Sequence, residues 1–315
     1  MRVYAIPLRT RFRGIEVREG VLLRGDAGWG EFSPFLEYDA PTAAPWLRAA
    51  HEAADEGWPE PVRDEIPVNV TVPACDPERA RRIVLASSGC RTAKVKVAEP
   101  GQRLAEDEAR LEAVRDALGP GGLVRVDANG GWAVEEAVAA IPLLQRAAGG
   151  LEYVEQPVAS VEDLAVVRRR VDVPIAADES IRRAADPYRV RDLGAADVAV
   201  LKVQPLGGVR ACLRIAEDIG LPVVVSSAVE TSVGIAAGVA LAAALPALDH
   251  ACGLATVQLL EGDVAEDSLL PVDGMLPVRR PTVSDGLLAR WAAPPERREH
   301  WRDRLEQVRR AGSTP

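Results

Sequence analysis

Lysine is the residue type that this chain most nearly lacks. The 315 residues contain 38 lysines and arginines together, and only Lys94, Lys96 and Lys202 are lysines. Arginine keeps its proton in proteins, whereas lysine can release one when burial or a neighbouring cation lowers its pKa. Arginine would serve equally well in a surface ion pair. The retention of lysine at these three positions therefore suggests that they take part in proton transfer.

Cysteine and histidine are also rare, with four and three residues. The cysteines form no Cys-x-x-Cys pair and lie in unrelated segments, at Cys75, Cys90, Cys212 and Cys252. This distribution is typical of reduced thiols in a cytoplasmic protein and argues against a disulfide framework. Surface or capping roles are expected for the histidines, which fall in or near predicted helices at His51, His250 and His300.

Positive charge is in deficit, since the formal net charge is −9. No basic stripe can dominate such a surface, so neither nucleic acid nor an anionic membrane is expected as a partner. The N-terminal apolar stretch is too short for a signal peptide. The longest apolar run, residues 233–248, is short for a membrane span and is expected to be a buried helix. These absences favour a cytoplasmic protein, with its oligomeric state left open.

From residue 66 onward, short apolar segments alternate with helical ones. The clearest helix has Leu104, Leu111 and Leu118 on one stripe and ends at Gly119. Eight strands separated by helices are the pattern of a parallel (β/α) barrel, with a doubly wound open sheet as the main alternative. The predicted strands are 66–72, 92–98, 123–129, 151–157, 174–180, 198–204, 222–228 and 253–259.

Residues 1–62 have a different pattern. Three antiparallel strands and one helix are predicted there, in segments 2–8, 14–25, 28–35 and 40–57. We therefore expect a small α+β domain in residues 1–62, followed by an α/β barrel in residues 63–281. The charged C-terminal helix is expected to pack outside the barrel.

Charged residues recur at the C-terminal end of one predicted strand after another. The active site of a parallel barrel lies at that end and is built from several strands. Six charged side chains are therefore expected to converge there. In chain order they are Lys94 and Lys96 on the second strand, Asp127 on the third, Glu155 on the fourth, Asp178 on the fifth and Lys202 on the sixth.

Three carboxylates placed side by side would repel one another and raise each other's pKa values. A divalent cation removes that penalty, and carboxylate oxygens suit Mg²⁺, with Mn²⁺ as an alternative. Because the cluster contains no cysteine or histidine, Zn²⁺ is not expected. The second and sixth strands are opposite each other in an eight-stranded barrel, so a substrate on the metal would have a lysine on each side.

Each of these residues also has an ordinary structural explanation. A single lysine or aspartate at a strand end is usually a solvated rim residue, and Lys94 could serve only to pair with a carboxylate. Asn129 shares a strand face with Asp127, and could equally orient a ligand or bind one itself. Strand parity assigns Glu152 and Glu179 to the opposite face, outside the site. The conjunction of five consecutive strands ending in charge favours a catalytic site.

Five segments, in this order, resemble motifs of the enolase superfamily: KVK (94–96), VDAN (126–129), VEQP (154–157), ADES (177–180) and LKVQPLGG (201–208). Lys-x-Lys on the second strand and a lysine on the sixth fit its muconate lactonizing enzyme subgroup. The mandelate racemase branch would have a histidine on the seventh strand, where this chain has none. The resemblance covers nearly the whole chain. It implies a modified (β/α)7β TIM-type barrel with an N-terminal capping domain, completed by a C-terminal segment of about residues 282–315.

The resemblance also implies an activity. Segments 223–235 and 252–264 resemble those of enzymes that dehydrate 2-succinyl-6-hydroxy-2,4-cyclohexadiene-1-carboxylate on the menaquinone pathway. In such an enzyme, Mg²⁺ would be bound by Asp127, Glu155 and Asp178. Lys96 would remove the proton next to the carboxylate and protonate the departing hydroxyl, while Lys202 would stabilise the ene-diolate.

Contacts for the succinyl carboxylate follow from the same resemblance. The hydroxyls of Ser226 and Ser227 would hold it, together with the backbone of Gly207 and Gly208, which opens a helix. The capping segment 11–20 is short and rich in arginine, and no specificity residue is identifiable in it.

Three alternatives stay open. N-succinylamino acid racemisation uses the same metal ligands and opposed lysines, alone or beside dehydration. Dipeptide epimerases carry an Asp-x-Asp on the last barrel strand, which residues 253–263 lack. A non-catalytic barrel retained as a binding or scaffold protein is the remaining alternative.

Overall fold

The N-terminal domain forms a three-stranded antiparallel sheet with a helix against it. The computed structural model describes residues 1–12, 14–183 and 186–312. The strands are β1 (Arg2–Phe12), β2 (Ile15–Gly25) and β3 (Gly28–Phe32). Asp39 accepts a hydrogen bond from the Thr42 amide and begins α1 (Ala40–His51), which a short π-helix (Glu52–Glu56) continues.

The remaining strands build a parallel sheet and a small antiparallel pair. They are β4 (Glu65–Pro67), β5 (Val70–Val72), β6 (Thr92–Lys96), β7 (Leu123–Asp127), β8 (Val154–Glu155), β9 (Ile175–Ala177), β10 (Val198–Lys202), β11 (Val223–Ser226) and β12 (Met275–Pro277). Strands β5 to β11 are parallel neighbours in chain order, as expected for successive barrel units. Strand β4 pairs antiparallel with β12.

Two residues close the parallel sheet into a barrel. The Cys252 amide donates to the Pro67 carbonyl at 2.7 Å, and its carbonyl accepts from the Asn69 amide at 3.0 Å. On the other side, the Gly253 amide donates to the Val225 carbonyl at 2.8 Å. The expected fold, a modified (β/α)7β barrel with an α+β domain before it, is confirmed, with its eighth strand reduced to this pair.

The prediction of a strand over residues 253–259 is therefore wrong beyond Gly253. Residues Ala255–Leu259 form a 3₁₀-helix. The Gly253 carbonyl accepts a hydrogen bond from the Ser227 hydroxyl at 2.6 Å, where a longer strand would accept from backbone. Periodicity does not distinguish a strand from a helical turn in a short apolar run. The predicted first strand, 66–72, is likewise divided between β4 and β5.

Helices connect the parallel strands and cover the barrel. After α1 they are α2 (Pro77–Leu85), α3 (Leu104–Leu118), α4 (Val134–Ala147), α5 (Val161–Arg168), α6 (Glu179–Arg182), α7 (Arg189–Asp192), α8 (Val203–Leu206), α9 (Val209–Ile219), α10 (Ser232–Ala244), α11 (Asp285–Arg290) and α12 (Pro295–Gly312). Most of the apolar run 233–248 lies in the buried helix α10, as predicted. Among the described residues, no helix has both the length and the apolarity required to cross a membrane. The four cysteines are free.

The C-terminal helix α12 packs against the N-terminal domain. Trp301 is fully buried, and its ring meets that of Phe32 edge-on with 6.1 Å between centroids. Arg304 donates to the carbonyls of Phe35 at 2.7 Å and Tyr38 at 2.8 Å. These contacts fit the expected C-terminal contribution to the cap, while the division of the chain at residues 62 and 281 stays a prediction. Arg13 of the arginine-rich capping segment and residues 313–315 lie outside the described residues.

Gly30 in β3 permits the close approach of α1, because a Cβ at this position would lie 1.9 Å from the Ala50 carbonyl oxygen. We expect Gly30→Ala to lower the free energy of unfolding by about 1–3 kcal/mol, since sheet and helix must separate. Gly286→Ala in α11 is the control, because its Cβ would meet only Ser284 Oγ, at 3.7 Å. It should be neutral or stabilising by up to about 1 kcal/mol. Urea unfolding measures both changes, and equal stability of the two variants would contradict this packing.

Candidate active site

The strand register places the predicted site residues side by side at one end of the barrel. Lys96 in β6 is paired with Asp127 in β7, and Asp127 is paired with Glu155 in β8. Asp178 directly follows β9, and Lys202 ends β10. The three carboxylates are at most 1% exposed and the three lysines at most 9%. The structure thus brings together the six charged residues that the sequence pattern predicts.

Lys94 lies between two of the carboxylates. Its Nζ is 3.1 Å from Asp127 Oδ2 and 3.0 Å from Glu155 Oε1. Burial alone would lower the pKa of Lys94, but Glu155 and Asp127 outweigh it and raise that pKa. Burial and the charge of Asp127 raise the pKa of Glu155 to about 7 in spite of Lys94. Lys94 therefore remains a charged partner of the carboxylates, which matches the structural explanation considered for it from the sequence.

Lys96 is held at the edge of the cluster. Its Nζ is 2.6 Å from Asp127 Oδ2 and 2.6 Å from Asn129 Oδ1. Asn129 also donates its backbone amide to Asp127 Oδ1 at 3.0 Å. Phe12, at the end of β1, has its ring centroid 5.7 Å from the same Nζ. Asn129 thus orients the Lys96 ammonium group directly, by accepting a hydrogen bond from it.

Lys202 and Arg182 each bind one carboxylate oxygen of Asp178. Lys202 Nζ contacts Oδ2, and Arg182 Nε donates to Oδ1 at 2.8 Å. Burial opposes ionisation of Asp178, but Arg182 and Lys202 hold its pKa below the ordinary value. Burial also lowers the pKa of Lys202, although Asp178 opposes this. Lys202 stands four strands from Lys96, as the opposed arrangement requires.

Glu179 lies at the site, so its assignment to the opposite face is wrong. Strand β9 ends at Ala177 and α6 begins at Glu179, so strand alternation no longer determines where this side chain points. Glu179 Oε1 accepts from Asn129 Nδ2 at 3.2 Å and from Arg182 Nη2. Its Oε2 is buried and has no hydrogen-bond partner among the described residues.

Glu152 lies outside the cluster, as strand parity predicts. It precedes β8 and accepts from Arg125 Nε at 2.9 Å, and its other oxygen is 2.6 Å from His250 Nδ1. His250 is therefore one partner of a partly buried pair, which corrects the expected surface or capping role.

Arg182 and Gln156 shape the site without having been predicted. Gln156 directly follows β8, and its Oε1 accepts from the amides of Asp178 at 3.0 Å and Ser180 at 3.1 Å. This side chain fixes the backbone where α6 begins. The sequence offered two signals for these residues: Arg182 lies four positions after Asp178, and Gln156 directly follows Glu155. Neither spacing identifies a site residue in a single sequence.

Strained backbone is concentrated where the strands end. Ala98, Asn129, Gln156 and Val229 have φ of 60°, 47°, 39° and 63°, and each follows a barrel strand by three residues or fewer. Residues other than glycine rarely adopt this region, and each instance costs on the order of 1–3 kcal/mol. Such positions persist only where surrounding contacts fix them, so neighbouring residues must hold the backbone in place at this end of the barrel.

The three lysines and Asp127 line a narrow inner cavity that adjoins a wider outer one. The inner cavity has a volume of about 30 Å³ and the outer one of about 670 Å³. Phe12, Lys96 and Asn129 line both. Ser226 and Ser227 line the inner cavity, so the structure brings these predicted substrate contacts to the site.

Gly207 and Gly208 are not brought to this cavity, and the contact predicted for them is corrected. The amides of Val209 and Arg210, which follow them at the start of α9, donate to the Glu52 carboxylate. A Cβ at Gly208 would lie 2.4 Å from Glu52 Oε2. The helix N-terminus expected to bind a substrate carboxylate therefore binds a carboxylate of the protein itself.

The donor set fits a magnesium ion. Asp127, Glu155 and Asp178 offer carboxylate oxygens on or directly after three consecutive strands. Among the described residues, no group of three or more His, Cys, Asp or Glu side chains is arranged to hold a metal ion. Lysine and arginine side chains instead contact oxygens of all three carboxylates. The pKa of Glu155 is raised, and a divalent cation beside this carboxyl group would stabilise its ionised form.

We expect Lys94→Met to lower the free energy of unfolding by about 3–5 kcal/mol, because two buried carboxylates lose their shared cation. Arg189→Met is the control, since it removes an ion pair with Glu162 in which both side chains are more than half exposed. Such exposed pairs contribute about 0–1 kcal/mol. Urea unfolding in the presence of a chelator measures both variants. Similar losses would contradict the importance of burial for the Lys94 pairs.

Comparison with known proteins identifies the family. Residues 77–287 match the family described as "Enolase C-terminal domain-like", and residues 3–54 match "Enolase N-terminal domain-like". The chain is 68% identical over 310 residues to o-succinylbenzoate synthase of Thermobifida fusca, which covers 98% of this chain and 96% of that protein. It is 56% identical over 305 residues to o-succinylbenzoate synthase of Mycolicibacterium smegmatis, covering 97% and 94%.

The solved structure of muconate lactonizing enzyme from Pseudomonas fluorescens has the same fold, with a TM-score of 0.79 and 22% identity over 93% of this chain and 97% of that one. The resemblance carried by the sequence motifs is confirmed by these matches. The chain belongs to the o-succinylbenzoate synthase family of the enolase superfamily.

Proposed function

We propose that this chain catalyses the Mg²⁺-dependent dehydration of 2-succinyl-6-hydroxy-2,4-cyclohexadiene-1-carboxylate to 2-succinylbenzoate, a step of menaquinone biosynthesis. Its identity to curated o-succinylbenzoate synthases over nearly the whole chain carries the proposal. The site supports it, because Lys96 and Lys202 flank a row of buried carboxylates. Enzymes of this superfamily use a lysine or histidine base with Mg²⁺ to form an ene-diolate.

The charges of the cluster are balanced. Four buried or nearly buried acidic side chains contact four cationic ones: Asp127, Glu155, Asp178 and Glu179 against Lys94, Lys96, Lys202 and Arg182. A dication and a substrate with two carboxylates add equal and opposite charge, so binding of both would leave the net charge of the site unchanged. Asp127, Glu155 and Asp178 would hold Mg²⁺, which supplies positive charge where the substrate carboxylate becomes electron-rich.

Lys96, once its ammonium group has released a proton, would act as the base. It takes the proton from the carbon next to the carboxylate, and the electrons of the broken C–H bond are delocalised into that carboxylate. The protonated Lys96 then gives this proton to the hydroxyl on the same face, the C–O bond breaks, and water leaves as the aromatic ring forms. Lys96 lines both cavities, and Asn129 Oδ1 at 2.6 Å fixes the direction of its ammonium group.

Lys202 would stabilise the negative charge from the opposite side, for which a fixed cation is sufficient. It lines the same inner cavity as Lys96. A lysine in this place can also exchange a proton, which an arginine cannot. This arrangement favours N-succinylamino acid racemisation as a second activity, in which each of the two lysines would exchange a proton with the substrate.

Turnover of the cyclohexadiene substrate tests the proposed function. We expect dehydration that requires Mg²⁺ and stops when a chelator removes the metal, measured by the appearance of 2-succinylbenzoate. A parallel assay with N-succinyl amino acids measures racemisation. Absence of cyclohexadiene turnover by folded protein supplied with Mg²⁺ would overturn the proposal, whichever result the second assay gives.

The two opposed lysines should respond differently to replacement by arginine. Lys202→Arg is expected to keep partial dehydratase activity, because a permanent cation remains beside the substrate. Lys96→Arg should lose on the order of 10²-fold to 10⁴-fold in kcat, because arginine does not release a proton. Steady-state kinetics at saturating Mg²⁺ compare the variants after circular dichroism has verified their folding. Equal and complete loss in both would mean that Lys202 also transfers a proton.

A further inference from the structure

The loop after β11 forms one wall of the inner cavity and contains a strained residue. Ser226, Ser227, Ala228 and Val229 line the cavity. Val229 has a φ of 63°, a left-handed conformation that β-branched residues rarely adopt. Contacts from the surroundings must hold this residue, because a strained backbone persists only where its neighbours fix it.

Some of these contacts fix the two sides of Val229. The Ala228 amide donates to Glu230 Oε2 at 2.7 Å, within the loop itself. On the helix side, Glu31 of β3 accepts from the Thr231 amide at 3.2 Å and from the Thr231 hydroxyl. The Val229 carbonyl lies in the chain between Ala228 and Thr231, the two residues held by these hydrogen bonds.

Arg18 of β2 holds that carbonyl from the N-terminal domain. Its Nε donates to Val229 O at 3.0 Å. The side chain is 2% exposed, and its Nη2 donates to the Ser33 carbonyl and, at 3.0 Å, to the Ser33 hydroxyl. The guanidinium lies 4.8 Å from the centre of the Phe35 ring. One planar group thus joins the N-terminal sheet to the cavity wall, and the single nitrogen of a lysine does not reproduce its fork of donors.

We propose that Arg18 is a positioning residue for substrate binding, which keeps Ala228 and Val229 in the conformation that shapes the cavity wall. It acts through the Val229 carbonyl and does not itself line either cavity. The proposal rests on the proposed function for the identity of the substrate.

The reacting groups are held independently of this contact. Lys96 is fixed by Asp127 on the neighbouring strand, and Lys202 by Asp178. Loss of Arg18 should therefore weaken substrate binding and leave the chemical step nearly intact. A defect confined to binding separates this role from a general loss of folding, which would reduce the amount of active enzyme and leave KM unchanged.

The test compares Arg18→Met with Arg304→Met. Arg304 is also a buried arginine with the N-terminal domain around it, and its hydrogen bonds go to the carbonyls of residues 35, 36 and 38, away from the loop. For Arg18→Met we expect KM for the cyclohexadiene substrate to rise about tenfold or more, with kcat within about threefold of wild type. The calorimetric Kd for 2-succinylbenzoate in the presence of Mg²⁺ should rise in parallel. For Arg304→Met both kinetic constants should stay within about threefold.

A double-mutant cycle with Val229→Gly separates positioning from other effects. Glycine adopts positive φ without strain, so a loop with glycine at position 229 depends less on Arg18. Adding Arg18→Met to Val229→Gly should therefore raise KM by a smaller factor than adding it to wild type. Should Arg18→Met fail to fold, Arg18→Lys, which retains the charge and the apolar stem, replaces it in every comparison.

Unchanged KM and Kd in a folded Arg18 variant would overturn the proposal, as would a fall in kcat alone or equal KM effects in the two arms of the cycle. Wild-type turnover is measured first and decides the proposed function separately. A wild type that acts only on N-succinyl amino acids overturns that function, and the same KM comparison is then made with those substrates.

Discussion

The architecture depends on the neutralisation of buried carboxylates by buried cations. An unpaired charge inside the barrel would be prohibitively unstable, so each carboxylate in the interior needs a partner within contact distance. Lys94 supplies it for two strands at once, and Asp178 has one cation on each oxygen. The parallel register makes this possible, because it sets Lys96, Asp127 and Glu155 abreast. The groups suited to metal binding and proton transfer are thus also the groups that hold the strands together at this end.

Much of this cluster could be predicted because strand periodicity and the barrel rule are local and regular. Neither applies beyond the end of a strand: Glu179 begins a helical turn, and residues 255–259 leave the sheet after the closing hydrogen bonds of Cys252 and Gly253. The role expected for Gly207 and Gly208 was wrong for another reason. A helix N-terminus in a sequence does not reveal which carboxylate reaches it, and here one from the N-terminal domain does.

Contacts between the two parts of the chain were the least predictable feature. Phe12 faces the Lys96 ammonium group, and the Tyr38 hydroxyl lies 3.2 Å from Arg182 Nη1. Arg18 and Val229 are separated by 211 positions and are joined by one hydrogen bond. No local sequence pattern predicts such pairs, because each residue by itself is typical of a strand or loop. Contacts around the site thus come from both parts, whereas the charged residues proposed for its chemistry belong to the barrel.

Glu52 of the N-terminal part caps a helix of the barrel. It is mostly buried, and its carboxylate accepts from the first amides of α9, a helix of the barrel. Arg210 of that helix returns the contact by donating to Glu52 Oε1 at 3.1 Å and to the Gly57 carbonyl at 2.8 Å. A barrel excised at residue 63 would lose the group that terminates its own helix. Neither part completes its hydrogen bonding alone, so we expect the two parts to unfold as one cooperative unit.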